Sequence, residues 1–200
     1  MHIEAHINFI IFLYRHVVPL YRDVDTLSFV DIGSYNVNGS LLDIISSEFA
    51  KGNIKKFDYV GVDESPGPNV DVVCNAHDLS SLGYDKFDIV LSSSSFEHDP
   101  QFWRTFKEMS KVCKPGGLIY INAPSTGMYH GYPGDCYRFY KDAWQALCDY
   151  VNKKGAVLEL IETYVDPNGN FQDSIGIYRK LEKTPDTLAE SLSHPGEPQI

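Results

Sequence analysis

Short apolar runs closed by glycine or an acid alternate along the chain with segments whose apolar residues fall at helical spacing. The run Leu27-Ser28-Phe29-Val30-Asp31-Ile32-Gly33 has the pattern of a buried strand. After Gly39 and Ser40, the residues Leu41, Leu42, Ile44 and Ile45 repeat as one face of a helix. Further strands are expected over 57–62, ending at Asp63, over 70–74, and over 87–91 ahead of a run of serines. A helix is expected over 99–112, with Asp99 as N-cap, Pro100 in the first position, and Phe102, Phe106, Met109 and Val112 as its apolar stripe. Lys114-Pro115-Gly116-Gly117 then turns the chain into a strand at 118–121. A helix over 141–151 and strands over 156–164 and 174–178 complete the pattern. Strands alternating with helices predict an α/β fold around a parallel sheet. One link strains it: about seven residues, 63–69, join the second and third strands, where a parallel crossover takes a dozen or more. Either that link lacks a helix or the third strand is very short.

With 200 residues, 43% hydrophobic and 22% charged, the chain is one ordinary globular domain able to bury its own core. The domain is expected over 1–182, with 1–26 a helical segment packed on it. Residues 183–200 carry Pro185, Pro195 and Pro198 and few large apolar groups, the composition of a mobile polar tail. Residues 7–20 are apolar but interrupted by Asn8, Arg15, His16 and Pro19, short of the ~20 apolar residues of a membrane span. They are expected to form a helix on the domain; the contact of a homodimer, a membrane-surface helix and a lid are the alternatives. Lys and Arg total 17 against 27 Asp and Glu, a net charge of −10, which disfavours nucleic acid and anionic membrane as partners. Cys74, Cys113, Cys136 and Cys148 fit no zinc spacing and read as free thiols of a reducing compartment. The first residues lack the basic start of a signal peptide, so a cytoplasmic location is expected, and the cysteine spacing gives no reason to expect a metal.

Ligands of open parallel sheets bind outside the carboxyl ends of the strands. The polar residues at those ends are Asp31 to Gly39, Asp63, Asn75-Ala76-His77-Asp78, Ser92 to Ser95 with Glu97-His98, and Asn122 to Ser125. The first loop has Gly33 and Gly39 but Tyr35 where a dinucleotide loop has its second glycine, so it is poorly built for a pyrophosphate. That argues against an NAD-dependent oxidoreductase. Asp63 can instead accept both hydroxyls of a ribose, bonds worth about 1.5–3 kcal/mol each to a charged acceptor.

These pieces, in this order, resemble the class I S-adenosylmethionine-dependent methyltransferases, especially the small single-domain members. They are Val30-Asp31-Ile32-Gly33 with Asn38-Gly39, Tyr59-Val60-Gly61-Val62-Asp63, Asn75-Ala76-His77-Asp78-Leu79, Phe87-Asp88-Ile89-Val90, Phe96-Glu97-His98 and Lys114-Pro115-Gly116-Gly117. The resemblance implies a Rossmann-like fold, with a mostly parallel seven-stranded sheet flanked by helices, and S-adenosyl-L-methionine as cofactor, released as S-adenosyl-L-homocysteine. It implies that Asp31, Gly33 and Ser34 hold the amino-acid end and Asp63 the ribose. Asn75, Ala76 and His77 would meet the adenine, and Ser92 and Ser93 the methionine portion. Asn75 stands where the family often has Asp, a weaker acceptor for want of charge. His77 and Asp78 shaping their own loop, and the serines forming a plain turn, are the alternatives.

The acceptor is expected at 126–140, after the fifth strand, where four of the 13 tyrosines gather with four loop-forming Gly and Pro residues. His130, His98 and Asp135 are the candidate catalytic residues, and Tyr129, Tyr132 and Arg138 the candidate acceptor contacts. Aromatic faces with polar tips suit a small polar molecule such as a sugar or sugar precursor. Two alternatives stand: Asp135 and Arg138 paired with each other over a buried Phe139, and a degenerate methyltransferase fold that binds without turnover.

Overall fold

Runs long enough for a strand, and apolar on both sides, can only be satisfied inside a sheet covered on both faces. The computed structural model of the chain describes residues 2–131 and 134–182, leaving the tail at 183–200 and Tyr132 outside the described residues. It runs α1 (Ile3–Phe12), a π-helical turn (Leu13–Val17), α2 (Val18–Tyr21), β1 (Leu27–Ile32), α3 (Leu41–Ala50), β2 (Phe57–Asp63) and β3 (Val72–Val73). A 3₁₀ turn (Ser80–Leu82) leads to β4 (Phe87–Ser93), α4 (Phe102–Val112), β5 (Cys113–Pro124), α5 (Asp142–Asn152), β6 (Leu158–Val165) and β7 (Asp173–Lys180). The seven strands form one sheet in the order β3-β2-β1-β4-β5-β7-β6. Its first five strands are parallel, while β7 runs antiparallel to both neighbours. This is the mostly parallel, helix-flanked sheet that the sequence predicts.

Alternation along the strands divides the core. Val30, Val90 and Ile119 face α4 and α5, packing with Phe106, Met109, Trp144 and Val151. Phe29, Ile89 and Tyr120 face α1 and α3, packing with Phe9, Phe12, Leu41 and Ile45. The strand order reverses at β1, so the crevice beyond the carboxyl ends of β1 and β4 is where such a sheet opens to a ligand.

The structure differs from the sequence pattern at four places. The short link is resolved both ways: β3 has two residues, and 64–71 contain no helix. The chain turns so tightly there that a Cβ on Gly61 would stand 1.8 Å from Asn69 O, and Asn69 itself takes φ +65°. Helix α4 starts at Phe102 rather than Asp99. Asp99 stays ahead of it, accepting from Gln101 N (2.8 Å) and Thr105 Oγ1 (2.5 Å). Lys114-Pro115-Gly116-Gly117 is an irregularity inside β5, since Phe87 pairs with Cys113 and Ile89 with Leu118. The N-terminal helix runs from Ile3 to Tyr21 with a π turn in the middle. Pro19 has no N–H for the carbonyl of Arg15, and widening the turn ahead of it accommodates that loss.

This segment is docked, not loose. Phe9 and Phe12 pack on Tyr120, Asn8 bonds Asp166 (3.1 Å) and Tyr164 (3.2 Å), and Glu162 takes Arg15 (2.8 Å) and His16 (2.6 Å). Among the described residues no helix is long and apolar enough to cross a membrane.

Trp144 joins α5 to the sheet: it is fully buried, stacks on Phe139 (5.2 Å, 13°) and donates Nε1–H to Ser174 Oγ at 2.8 Å. Trp144→Ala is therefore expected to cost about 3–5 kcal/mol, and Trp144→Phe less, in urea unfolding followed by circular dichroism. A loss below about 1 kcal/mol for the alanine variant contradicts this packing.

Candidate active site

The loop leaving β1 makes the first wall. Gly33 takes φ +82°, and a Cβ there would stand 2.3 Å from Ser95 Oγ, so both conformation and space exclude a side chain. Gly33 and Ser34 donate their N–H groups to Val62 O at 2.8 and 3.0 Å, fixing the loop to β2. Tyr35, in place of a second glycine, turns its ring onto Gly67, where a Cβ would meet Tyr35 Cε2 at 2.1 Å. Asn36 Oδ1 accepts from Gly39 N (2.8 Å), and Ser40 Oγ caps α3 by accepting from Asp43 N (3.2 Å). These turns enclose a cavity of about 300 Å³ whose walls include Asp31, Gly33, Ser34, Asn38, Ser93 and His98. The Asp31 carboxyl is buried there and accepts from Tyr59 OH at 2.9 Å. Burial pushes its pKa up to about 7, against the pull of that hydrogen bond.

The remaining expected cofactor residues divide. Asp63 sits at the carboxyl end of β2, its two oxygens accepting from Ser65 N (3.0 Å) and Tyr35 N (3.3 Å). Ser34 Oγ donates to Asn69 O (2.9 Å). Asn75 Oδ1 accepts from His77 N (2.8 Å), and Ala76 packs on the core. His77 Nε2 lies 2.8 Å from Asp99 Oδ1, and Asp78 accepts from Ser80 N (3.0 Å), so both shape their loop. The buried Ser92 Oγ donates to Ile32 O (2.9 Å), tying β4 to β1. Ser93 does reach the cavity.

A second cavity of about 490 Å³ adjoins the first, and the two share Asn38, Ser94, His98 and His130. Asp135 organises the loop along it. Its side chain is wholly buried, both oxygens taken by the Arg138 guanidinium, with Nη2–Oδ2 at 2.8 Å. Arg138 holds that carboxyl well below the usual range. Arg138 also donates to Met128 O (3.0 Å) and Tyr137 O (2.8 Å), so it braces the loop from within. Asp135 accepts from His130 N (2.9 Å) and lies 3.2 Å from His130 Nδ1; it orients that histidine and is itself walled off from the cavity. Phe139 is buried, whereas Tyr129 is 78% exposed at the rim.

Opposite stands the turn after β4. Glu97 is buried, and burial pushes its pKa up to about 8. Its Oε2 has no hydrogen-bond partner among the described residues. His98 points Nδ1 at Gly134 O and Nε2 at His130 Nε2, 3.2 Å away. Burial lowers its pKa. So two of the three candidate catalytic residues meet at the junction of the cavities, with the third behind them.

Beside Pro124, the second cavity also uses residues the sequence did not single out: His2 and Phe171. His2 Nε2 lies 3.0 Å from both oxygens of Asp173, which also takes Asn122 Nδ2 at 3.0 Å. The signal was the pairing of the last strands, which sets Asp173 opposite Pro124.

Residues 38–121 match the family model described as a methyltransferase domain. No curated protein matches the sequence. Among solved structures, the chain resembles one from a Haloferax volcanii complex between the Trm112 methyltransferase activator and a methyltransferase (14% identity, TM-score 0.59, covering 89% of this chain and 96% of that one). It resembles the 1,6-didemethyltoxoflavin-N1-methyltransferase of Burkholderia thailandensis, solved with 1,6-didemethyltoxoflavin and S-adenosylhomocysteine (14%, 0.57, 89% and 84%). It also resembles the magnesium protoporphyrin IX methyltransferase of Synechocystis PCC 6803, solved with S-adenosylmethionine (9%, 0.58, 88% and 79%). Identities this low speak for the fold, and the family match speaks for the motifs that sit on it. Residues 38–121 thus match a methyltransferase domain, and the seven-stranded sheet of this order has the Rossmann-like fold of solved S-adenosylmethionine-dependent methyltransferases.

Proposed function

We propose that the protein moves a methyl group from S-adenosylmethionine to a small polar acceptor of the sugar or sugar-precursor class. The supporting observation is the pair of adjoining cavities at the carboxyl ends of the strands, joined where His98 meets His130. When bound, the cofactor supplies an electrophilic methyl carbon on a sulfonium. Asp31 fits its amino-acid end: a buried carboxylate with one hydroxyl donor is stabilised by an incoming ammonium. Asp63 has two lone-pair sites taken by backbone N–H groups and two left for a ribose diol. Gly33 and Ser93 would border the methionine portion and Asn75 and Ala76 the adenine, with His77 behind them. In the second cavity, Phe171 and Pro124 offer apolar faces and His2 a polar edge, the mixture a sugar ring presents in return. His130, oriented through Nδ1 by Asp135, and His98 are the groups placed to hold or receive the acceptor proton.

Two further parts of the reading are supported by single features. The four cysteines are free, which fits a reducing, cytoplasmic setting. The outer face of α1 carries exposed Ile3, Ile7 and Ile10, continued by exposed Tyr14 on the π-helical turn, the contact we propose for a homodimer.

Calorimetry with S-adenosylhomocysteine tests the cofactor site; micromolar-range binding is expected, and its absence removes the reading. Transfer of label from methyl-labelled S-adenosylmethionine to a panel of sugars and sugar phosphates tests the acceptor class. Binding without transfer to any acceptor instead marks a degenerate, binding-only member. Asp63→Ala is expected to weaken S-adenosylhomocysteine by about tenfold or more; unchanged affinity refutes the ribose role. Asp31, with its pKa near 7, is protonated below neutrality and pairs with an ammonium only once ionised. Affinity should therefore rise between about pH 6 and pH 8, and Asp31→Asn should flatten the rise.

A further inference from the structure

We infer that Glu97, His98 and His130 bind one divalent transition-metal cation, of the zinc or manganese(II) type, at the junction of the two cavities. The argument starts from the ring protons. His98 Nδ1 faces the carbonyl of Gly134, an acceptor, so Nδ1 carries the N–H. His130 Nδ1 lies 3.2 Å from Asp135 Oδ2, an oxygen of the carboxylate held by Arg138, a neighbour that favours the proton on Nδ1. Both Nε2 atoms are thereby left as bare lone pairs, and they face each other at 3.2 Å. The third atom of the cluster is Glu97 Oε1, 3.7 Å from His98 Nε2, and all three atoms lie within 4.8 Å of one another. Two ring lone pairs facing each other at this distance repel, and a cation between them removes the conflict, with the buried Glu97 carboxyl, whose Oε2 has no partner among the described residues, beside them.

The spacing suits a metal. Ligand atoms about 2.0–2.1 Å from a tetrahedral ion stand about 3.3 Å apart, close to the 3.2 and 3.7 Å found here before any ion draws them in. Two imidazoles and one carboxylate, with positions left open, are the donor set of borderline transition metals rather than of magnesium or calcium. The supports behind the ligands are also present. Gly134 O and Asp135 fix the two rings by their far nitrogens, as metal-bound histidines require. The Glu97 carbonyl accepts from Cys136 N (2.7 Å) and Tyr137 N (3.2 Å), which staples the loop bearing His130 to the turn bearing Glu97 and His98. The opposed expectation from sequence, that no metal is present, rested on cysteine spacing, which these ligands do not use.

The use of the ion rests on the methyltransferase reading; its binding does not. Its open positions would face the second cavity and take an acceptor with neighbouring oxygens, a diol or a hydroxy-carboxylate. A coordinated hydroxyl releases its proton to water more readily, so the ion would do what a base does, and His98 and His130 would serve as its ligands in place of taking the proton.

The test titrates the full-length protein, stripped with EDTA, with Zn²⁺ and with Mn²⁺ against a chromogenic chelator. S-adenosylhomocysteine is titrated into the same samples. One equivalent is expected to bind, at least about tenfold more weakly in His130→Ala and Glu97→Gln. His130 lies on the loop, and thermal melts of both variants confirm that they fold. Cys136→Ser, which removes the exposed thiol near His98, should keep wild-type affinity, and bound Co²⁺ should show no thiolate charge-transfer band. Substoichiometric binding, wild-type affinity in folded His130→Ala, or loss of binding in Cys136→Ser overturns the inference. Metal bound without S-adenosylhomocysteine overturns the cofactor reading alone, and the reverse result overturns the metal alone.

Discussion

A sheet packed against helices on both faces leaves polar chemistry nowhere to go but its ends, and the rest of this structure follows from that constraint. Val30, Val90 and Ile119 commit one face of the strands to α4 and α5, while Phe29, Ile89 and Tyr120 commit the other to α1 and α3. Asp31, Asp63, Ser93 and Glu97 occur where strands stop or just beyond. The reversal of strand order at β1 then parts the loops that follow β1 and β4, and that parting is the first cavity.

What the sheet cannot supply, the loop after β5 does. It carries His130 to His98 although both lie outside regular structure. A loop of this kind holds a catalytic geometry only when something inside it is rigid. Here that is Asp135, closed around by Arg138 and the His130 backbone, with Arg138 reaching on to Met128 and Tyr137. One carboxylate thus sets the fold of the loop and the direction of a ring in the site.

The parts of this arrangement written locally were legible in the sequence. Strands showed as apolar runs because burial on both faces demands continuous hydrophobicity, and Gly33 showed because a strand must turn sharply there. The Asp135–Arg138 pair was readable as an alternative because the partners stand only three positions apart. Where partners are far apart in the chain, the pattern was silent. Nothing local announced that His77 would lie beside Asp99, or that the Ser92 hydroxyl would donate to Ile32 O, 60 positions away. The start of α4 was misplaced because Asp99 and Pro100 make a good helix opening locally. In the fold, Asp99 answers to Gln101, Thr105 and His77 instead. His2 and Phe171 carried no signal, since only the antiparallel return of β7 brings their part of the chain to the cavity.

The closed pair of Asp135 and Arg138 also bears on how the loop meets its surroundings. Added salt weakens exposed charges separated by more than about 10 Å, but has little hold on a carboxylate sealed beneath its own guanidinium. Acid must pass below the ordinary carboxylate range before the pair lets go, because Arg138 keeps Asp135 ionised well into it. The scaffold of the acceptor side is thereby insulated from the two solution variables most often changed in an assay. Sensitivity to ionic strength or mild acidity, where it is met, traces to the exposed rim or to Asp31 in the first cavity, not to the loop coming apart.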